Sequence, residues 1–321
     1  KKVNLTGAIS QISGKDLENR PVSNIGQALQ GLMPNVNISI ANGSPYTTPS
    51  INIRGGTSFA KNSSGDFEIQ TGSPYTLVDG IPMDISQVNP EDIETVTVLK
   101  DAASSAIYGA RAAYGVMLIT TKKGKHSEKP ILSYSNDFQW NRPAARPDLL
   151  NAYEIQKASN DAYAFTDQSV PTDQLTKLEA IKAYMDDPVH NPSYIMSVPG
   201  NDSSSIIWVG NQNPYDEAVK SSTPMMKHNL SISGGSEKTT YYASVSYLGQ
   251  EGIYKMNTDK FQRYNANFNL NTKVTDWFSI EFKTNYYNTQ YKQPVYPSGK
   301  GGWWRALAQE PQRNINMPLQ T

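Results

Sequence analysis

The sequence predicts a two-part chain: a small α/β domain over residues 1–124, then over residues 125–321 the first strands of an antiparallel transmembrane β-barrel. Three observations lead there. Short strand-like and helix-like runs follow one another up to residue 124. Beyond Pro130, segments of ~10 residues alternate apolar and polar side chains, the length a tilted membrane strand needs. The connectors between those segments alternate tight and long, as the two ends of a membrane barrel do.

In the first part, Ser23 caps a predicted helix whose apolar residues Ile25, Ala28, Leu29 and Leu32 share one face, and Pro34 ends it. Strands are predicted at Val36–Ile40, Ser50–Arg54, Tyr75–Val78, Ile93–Leu99 and Val116–Thr121. Asp79-Gly80 before Ile81-Pro82 is a turn signal, glycine supplying a positive φ. Asp101 caps a predicted helix through Tyr108, with Gly109 in the C′ position. Residues 43–72, rich in Gly, Ser, Asn, Thr and Pro, are predicted to be loops.

In the second part, strands are predicted near 131–141, 225–234, 239–249, 261–272 and 277–290. The fourth is the clearest: Tyr264, Ala266, Phe268 and Leu270 alternate with Arg263, Asn265, Asn267, Asn269 and Asn271. On the first, Leu132, Tyr134, Phe138 and Trp140 share a side on which Asn136 is the one polar residue. Gly234–Lys238 and Lys273–Trp277 are tight connectors, whereas 142–224 is a long loop with predicted helices at Asp148–Ala164 and Thr172–Met185. A soluble β-sandwich would alternate too; strand length and connector pattern favour the barrel. Five strands cannot close one.

Bulk properties fit this reading. The 321 residues carry 29 basic and 29 acidic side chains, so no strong field recruits nucleic acid. Mean hydropathy is −0.55, and no apolar run reaches the ~20 residues of a spanning helix. A barrel averages out in the same way. Cysteine is absent, and the 19 tyrosines and five tryptophans suit interfacial belts or a sugar-binding surface. No nucleotide-loop spacing, metal-ligand spacing or catalytic arrangement is present, so no cofactor and no enzyme activity are expected. The acidic clusters Asp186-Asp187 and Glu91-Asp92 with Glu94 are expected to be solvated loop charge, a calcium site remaining open.

S-I-N-I-R-G-G at 50–56, L-V-D-G-I-P at 77–82 and the run E-D-I-E-T-V-T-V-L-K-D-A-A-S-S-A-I-Y-G-A-R-A-A-Y-G-V-M-L-I-T-T-K-K-G-K at 91–125 follow in order. Together they resemble the plug domain of TonB-dependent outer-membrane transporters, in the version carried by the SusC-like family of Bacteroidetes. The resemblance covers most of 1–142 and 226–290. One departure is Tyr114, where the family usually has asparagine.

The resemblance implies a 22-stranded barrel in full, seated in outer-membrane lipid, with the plug facing the periplasm and loop 142–224 outside the cell. It implies import of a glycan or peptide oligomer, a SusD-like lipoprotein lid as partner, and coupling to TonB through a segment upstream of Lys1. Residues 43–72 then become apical loops toward substrate, giving Tyr46, Phe59, Asp66 and Phe67 as candidate contacts. Tyr291, Trp303 and Trp304 are further candidates, an interface girdle being an equal account of the tryptophans. Arg54, Asp79, Glu94, Lys100, Asp101, Tyr108, Gly109 and Arg111 are the candidate residues that knit or gate the plug. The competing expectations are a secreted glycan-binding module with a β-sandwich, a soluble α/β enzyme with a β accessory domain, and a TonB-dependent siderophore or cofactor receptor outside the SusC-like group.

Overall fold

The computed structural model describes residues 9–292 other than 19, 21, 24, 41–46, 54–57, 62–66, 71, 144–147, 167, 197–205 and 256–257. The chain divides into two compact units. One comprises 1–141, 223–252 and 259–292, and the other 142–222, 253–258 and 293–321.

The first unit opens with β1 (Ile9–Ser13), α1 (Lys15–Glu18), α2 (Ile25–Leu29), β2 (Asn37–Ser39) and β3 (Ser50–Asn52). Then come β4 (Ser58–Lys61), β5 (Phe67–Gln70), β6 (Tyr75–Val78), β7 (Ile81–Pro82), β8 (Ile93–Leu99), α3 (Ala102–Ser105) and β9 (Val116–Thr121). A mixed sheet runs β1-β8-β9-β6-β7, with β6 and β9 parallel and the other pairs antiparallel. Leu17, Ile25, Ala28 and Leu29 of the helices pack onto Val96, Val98, Met117 and Ile119 of the sheet, all nearly inaccessible. Each such aliphatic burial contributes about 1.5–3 kcal/mol. A smaller cluster joins Leu77, Leu99, Ala112 and Val116, with Tyr75 and Tyr108 at its edge.

The predicted β6, β8 and β9 are found at their expected bounds. The helix at Ile25 is shorter than expected, because Gly31 (φ 78°) takes a left-handed conformation that stops it before Pro34. The helix after Asp101 is also shorter: α3 gives way to 3₁₀ turns over Ala106–Ala112, broken at Gly109 (φ 63°, ψ −150°). Within 43–72, expected to be loops, β4 and β5 pair antiparallel. Gly14 allows β1 and α1 to meet β8, since a Cβ there would stand 1.9 Å from the Ile93 carbonyl oxygen.

Asp79 (φ 49°) and Gly80 (φ 87°) turn the chain in two residues, pairing Val78 with Ile81, the geometry of a type I′ hairpin. Asp79 is held in this uncommon conformation by its carboxylate, which accepts from the Thr121 amide at 3.2 Å and the Thr121 hydroxyl at 2.6 Å.

The same unit holds a five-stranded antiparallel sheet, in order β10 (Ser127–Asn141), β13 (Thr223–Gly235), β14 (Thr239–Glu251), β15 (Lys260–Lys273) and β16 (Ser279–Lys292). Each strand has 13–15 residues. Among the described residues the sheet is open, with β10 and β16 at its edges.

In the second unit, β11 (Tyr194–Met196) pairs with β12 (Ile206–Trp208), and α4 (Ala152–Ala164), α5 (Thr172–Asp186) and α6 (Pro214–Ala218) supply the helices. The α4 helix begins later than Asp148 because Asn151 and Glu154 form a reciprocal capping box. Gln156, fully buried, donates to Asn160 at 2.8 Å and to Gln174 at 3.0 Å, which fixes α4 on α5.

Asp79→Ala should lower the stability of the first unit by about 1–3 kcal/mol, through loss of both Thr121 bonds and of the turn. Asp79→Asn, which tolerates the turn and keeps one acceptor, should cost less. Urea midpoints of the two variants check the order.

Candidate functional site: a plug domain seated on a polar wall

Register sorts the side chains of the five-stranded sheet into two faces. On one face Ser133, Ser231, Ser244, Asn267 and Asn285 form a row across all five strands. The neighbouring row is Ser135, Asn229, Ser246, Asn265 and Tyr287. Over the three central strands this polar face is the buried one: Lys227 and Arg263 are each 3 % exposed. The apolar face is bare, with Trp140 at 69 %, Val245 at 54 % and Phe282 at 51 %. A water-soluble sheet arranges its faces the other way round.

The apolar face also has oblique borders. Its upper limit falls at Trp140 on β10, Met226 on β13, Tyr247 on β14, Tyr264 on β15 and Tyr286 on β16. Tyr286 lies in the register row of Tyr134, six residues below Trp140. The lower limit runs from Leu132 to Ile280, which is four residues below Thr284, the member of the Leu132 row on β16. A drift of about 1–1.5 residues per strand, at ~3.3 Å per residue and ~4.8 Å between strands, corresponds to a tilt of about 35–45°. Strands crossing a hydrocarbon slab in a membrane barrel tilt by that amount.

The first domain occupies the polar face. Two successive 3₁₀ turns, Ile85–Gln87 and Pro90–Asp92, are capped by Asp84 and Asn89, whose side chains accept from the amides of Ser86 and Glu91. These turns present carbonyls and acids to the wall. Arg263 donates to the Ser86 carbonyl at 2.8 Å, and Asn265 to the Gln87 carbonyl at 2.7 Å. Asn89 donates to Asn229 at 3.1 Å. Lys227 and Glu91 form a buried ion pair at 2.8 Å, and Tyr242 donates to Asp92 at 2.9 Å. Asn269 spans the Thr121 hydroxyl at 2.9 Å and the Lys122 carbonyl at 2.7 Å.

At the rim, Lys283 lies 3.8 Å from Asp79, and Glu281 sits between Lys123 at 3.1 Å and Lys283 at 3.0 Å. These last pairs are partly solvated and contribute little. Burial raises the Asp92 carboxyl above its ordinary 3.8, against hydrogen bonds that include the one from Tyr242.

Of the predicted plug residues, Asp79 is placed against the wall. Lys100 donates to Ser10 at 2.6 Å and to the Pro34 carbonyl, tying β1 to the loop before β2. Asp101 accepts from the Ser104 amide at 2.5 Å as a cap. Arg111 stacks 4.8 Å over the Tyr75 ring, which Tyr108 also touches. Glu94 is exposed, and its backbone carbonyl accepts from Gly14. Tyr114, at the position where the sequence departs from the family, lays its ring where a Cβ on Gly72 would stand, 2.1 Å away.

Tyr291 packs on the Met225, Leu248 and Phe261 cluster. Phe59 and Phe67 fall on β4 and β5, while Tyr46, Arg54, Asp66, Trp303 and Trp304 lie outside the described residues. Glu91 and Asp92, expected to be solvated, are buried among wall side chains, because the capped turns aim them inward. Asp187 keeps a loop role: it accepts from His190 at 2.7 Å, which lowers its pKa. The contact set Ser86, Gln87, Asn89, Lys227, Arg263 and Asn269 was not singled out from sequence, although D-I-S and N-P-E-D are recognisable capping signals.

Comparison with known proteins agrees with this architecture. Residues 1–116 match the TonB-dependent Receptor Plug Domain model. TonB-dependent receptor P26 of Formosa agariphila is 30 % identical over 292 residues, covering 89 % of this chain and 25 % of the receptor. TonB-dependent receptor SusC of Bacteroides thetaiotaomicron is 28 % identical over 326 residues, covering 98 % of this chain and 27 % of SusC. The RagAB peptide importer in its open-open state superposes with a TM-score of 0.69 at 26 % identity, covering 92 % of this chain and 32 % of that one. The chain spans about a quarter of the length of the curated relatives it matches.

A plug seated on the first strands of an outer-membrane receptor barrel is therefore what this chain contains, and the class is that of the TonB-dependent receptors. Within that class it belongs with the SusC-like receptors of Bacteroidetes.

Lys227→Met alone should weaken plug docking by about 3–5 kcal/mol, because Glu91 is left buried and unpaired, whereas adding Glu91→Leu should recover most of the loss. A double-mutant cycle on urea midpoints reads the coupling. Docking should also weaken as pH rises above 3.8. The docked state holds the Asp92 proton up to a higher pH than a solvated carboxyl does, so stability falls across that interval and levels off once Asp92 is ionised. Asp92→Asn should flatten this dependence, measured as thermal midpoint against pH.

Proposed function

We propose that the protein imports a glycan or peptide oligomer across the outer membrane, its plug gating the barrel and TonB supplying the pull. One observation carries this reading: a sheet bare and apolar on one face holds the plug by polar contacts on the other. A sandwich module would need the apolar faces packed on protein, and in this chain they are exposed. The importer reading needs no catalytic step, and the relatives named above are receptors and an importer.

In this reading the plug faces the periplasm and 142–224 lies at the cell surface, where a SusD-like lipoprotein closes over the mouth. Likeness to a peptide importer supports an oligomeric cargo. Tyr46, Phe59, Asp66, Phe67, Tyr291, Trp303 and Trp304 are the proposed cargo contacts, aromatic or acidic groups of which Phe59, Phe67 and Tyr291 lie on β4, β5 and β16. Asp79, Lys100, Asp101, Tyr108, Gly109 and Arg111 hold the plug together, with Arg54 and Glu94 proposed beside them. TonB engages a segment upstream of Lys1, and force reaches the plug through β1, an edge strand of its sheet.

Removing the segment upstream of Lys1 from the full polypeptide should abolish uptake while cargo capture at the cell surface persists. Paired uptake and binding assays on whole cells check this; unchanged uptake would contradict coupling through the plug. A charge on the bare face, Val245→Arg, should cost about 2–4 kcal/mol and reduce recovery in the outer-membrane fraction. Ser246→Arg, on the opposite face of the same strand, should leave membrane recovery intact while loosening the plug.

A further inference from the structure

The seam between plug and wall contains a side chain whose needs the protein does not meet. Asn267 on β15 is 4 % exposed, and neither its Oδ1 nor its Nδ2 has a hydrogen-bond partner among the described residues. Leaving a buried polar atom unpaired costs about 1–3 kcal/mol, so an amide with both ends orphaned is costly. Its position in the register explains why no wall residue helps. Asn267 stands between Ser244 on β14 and Asn285 on β16, and neither of those cross-strand neighbours hydrogen-bonds its amide. The plug leaves a gap opposite. A cavity of about 20 Å³ is lined by Asn267 and Asn285 from the wall and by Gln87, Asn89 and Asp92 from the plug.

A site needs roughly 10–15 Å³ and two to four polar partners to hold one water, and this cavity meets both conditions. We propose that a single ordered water sits here, bonded to the Asn267 amide on the wall and to the Asp92 carboxyl on the plug. A metal ion is a poorer fit, because Asp92 is the one carboxylate lining the cavity and its neighbours bring amide nitrogens as well as oxygens. Asp92 already accepts from Tyr242 at 2.9 Å, and its second oxygen lies 3.4 Å from Asn89 Nδ2, which leaves acceptor capacity for a water. The water makes Asn267 part of the docking seam without direct contact to the plug. It stands apart from the import reading, since it concerns the resting contact only.

The test is a structure of the full-length receptor at a resolution that shows other buried waters, for the wild type and for Asn267→Leu, a substitution of similar volume. The expected result is a peak within about 3.2 Å of Asn267 and of Asp92, present in the wild type and lost in the variant. No peak in the wild type, or an Asn267 side chain bonded directly to protein, would overturn the proposal. So would a peak ringed only by oxygens at about 2.3–2.6 Å, which marks a cation. A peak that persists in Asn267→Leu would show that Asn267 does not hold it. If the variant does not fold, the wild-type map alone decides.

Discussion

Side chains that alternate along a strand give a sheet two faces, and the chain's organisation depends on which face is covered. Here the covered face carries Lys227, Asn229, Arg263 and Asn269, and the uncovered one carries Trp140, Val245 and Phe282. Burying charged and amide groups is costly unless each finds a partner. The plug supplies those partners from two capped 3₁₀ turns, which turn backbone carbonyls and carboxylates toward the wall, and from Thr121 and Lys122 at the end of β9. Among the described residues none covers the apolar face, and its oblique borders match strands tilted through a slab of hydrocarbon.

On the proposed import reading, a polar seam also suits a plug that holds at rest and yields under load. Hydrogen bonds exchanged for bonds to water are worth about 0.5–1.5 kcal/mol each, so they can be given up one at a time. A dry apolar seam would expose its whole area on separation, at about 25 cal/mol per Å². Against this background the buried Lys227–Glu91 pair is the contact most costly to break from one side, and the rim pairs around Glu281 are the least. The plug's interior is different: Leu17, Ile25, Val96 and Met117 form an apolar core that keeps the domain one body while its outer surface is polar.

Much of this was legible in the sequence. The alternation of Tyr264, Ala266, Phe268 and Leu270 with arginine and asparagines fixed both faces of β15, and Asn136 was correctly the polar exception on its side, where it pairs with His228. Asp79-Gly80 announced its turn. Less legible were features set by a few backbone angles, such as the early stop at Gly31 and the break at Gly109, because glycine permits a positive φ without demanding it. The β4–β5 pairing hid in a polar stretch whose composition fits loop or strand. The docking set was hidden for another reason. Glu91 and Asp92 look like any acidic loop until the wall opposite is known, and their partners Lys227 and Tyr242 lie more than a hundred residues downstream.

The central claim, that the bare face of the five strands meets lipid while the opposite face holds the plug, is tested most directly by spin labels on the full-length receptor in its native membrane. In a full-length receptor free of other cysteines, single cysteines at Val245 and Phe268 on one face, and at Ser246 and Asn267 on the other, each carry one label. The account predicts that Val245 and Phe268 collide readily with dissolved oxygen and hardly with a water-soluble nickel complex, and that Ser246 and Asn267 are shielded from both. Labels at Val245 and Phe268 that are shielded from oxygen, or open to the nickel complex, would contradict it.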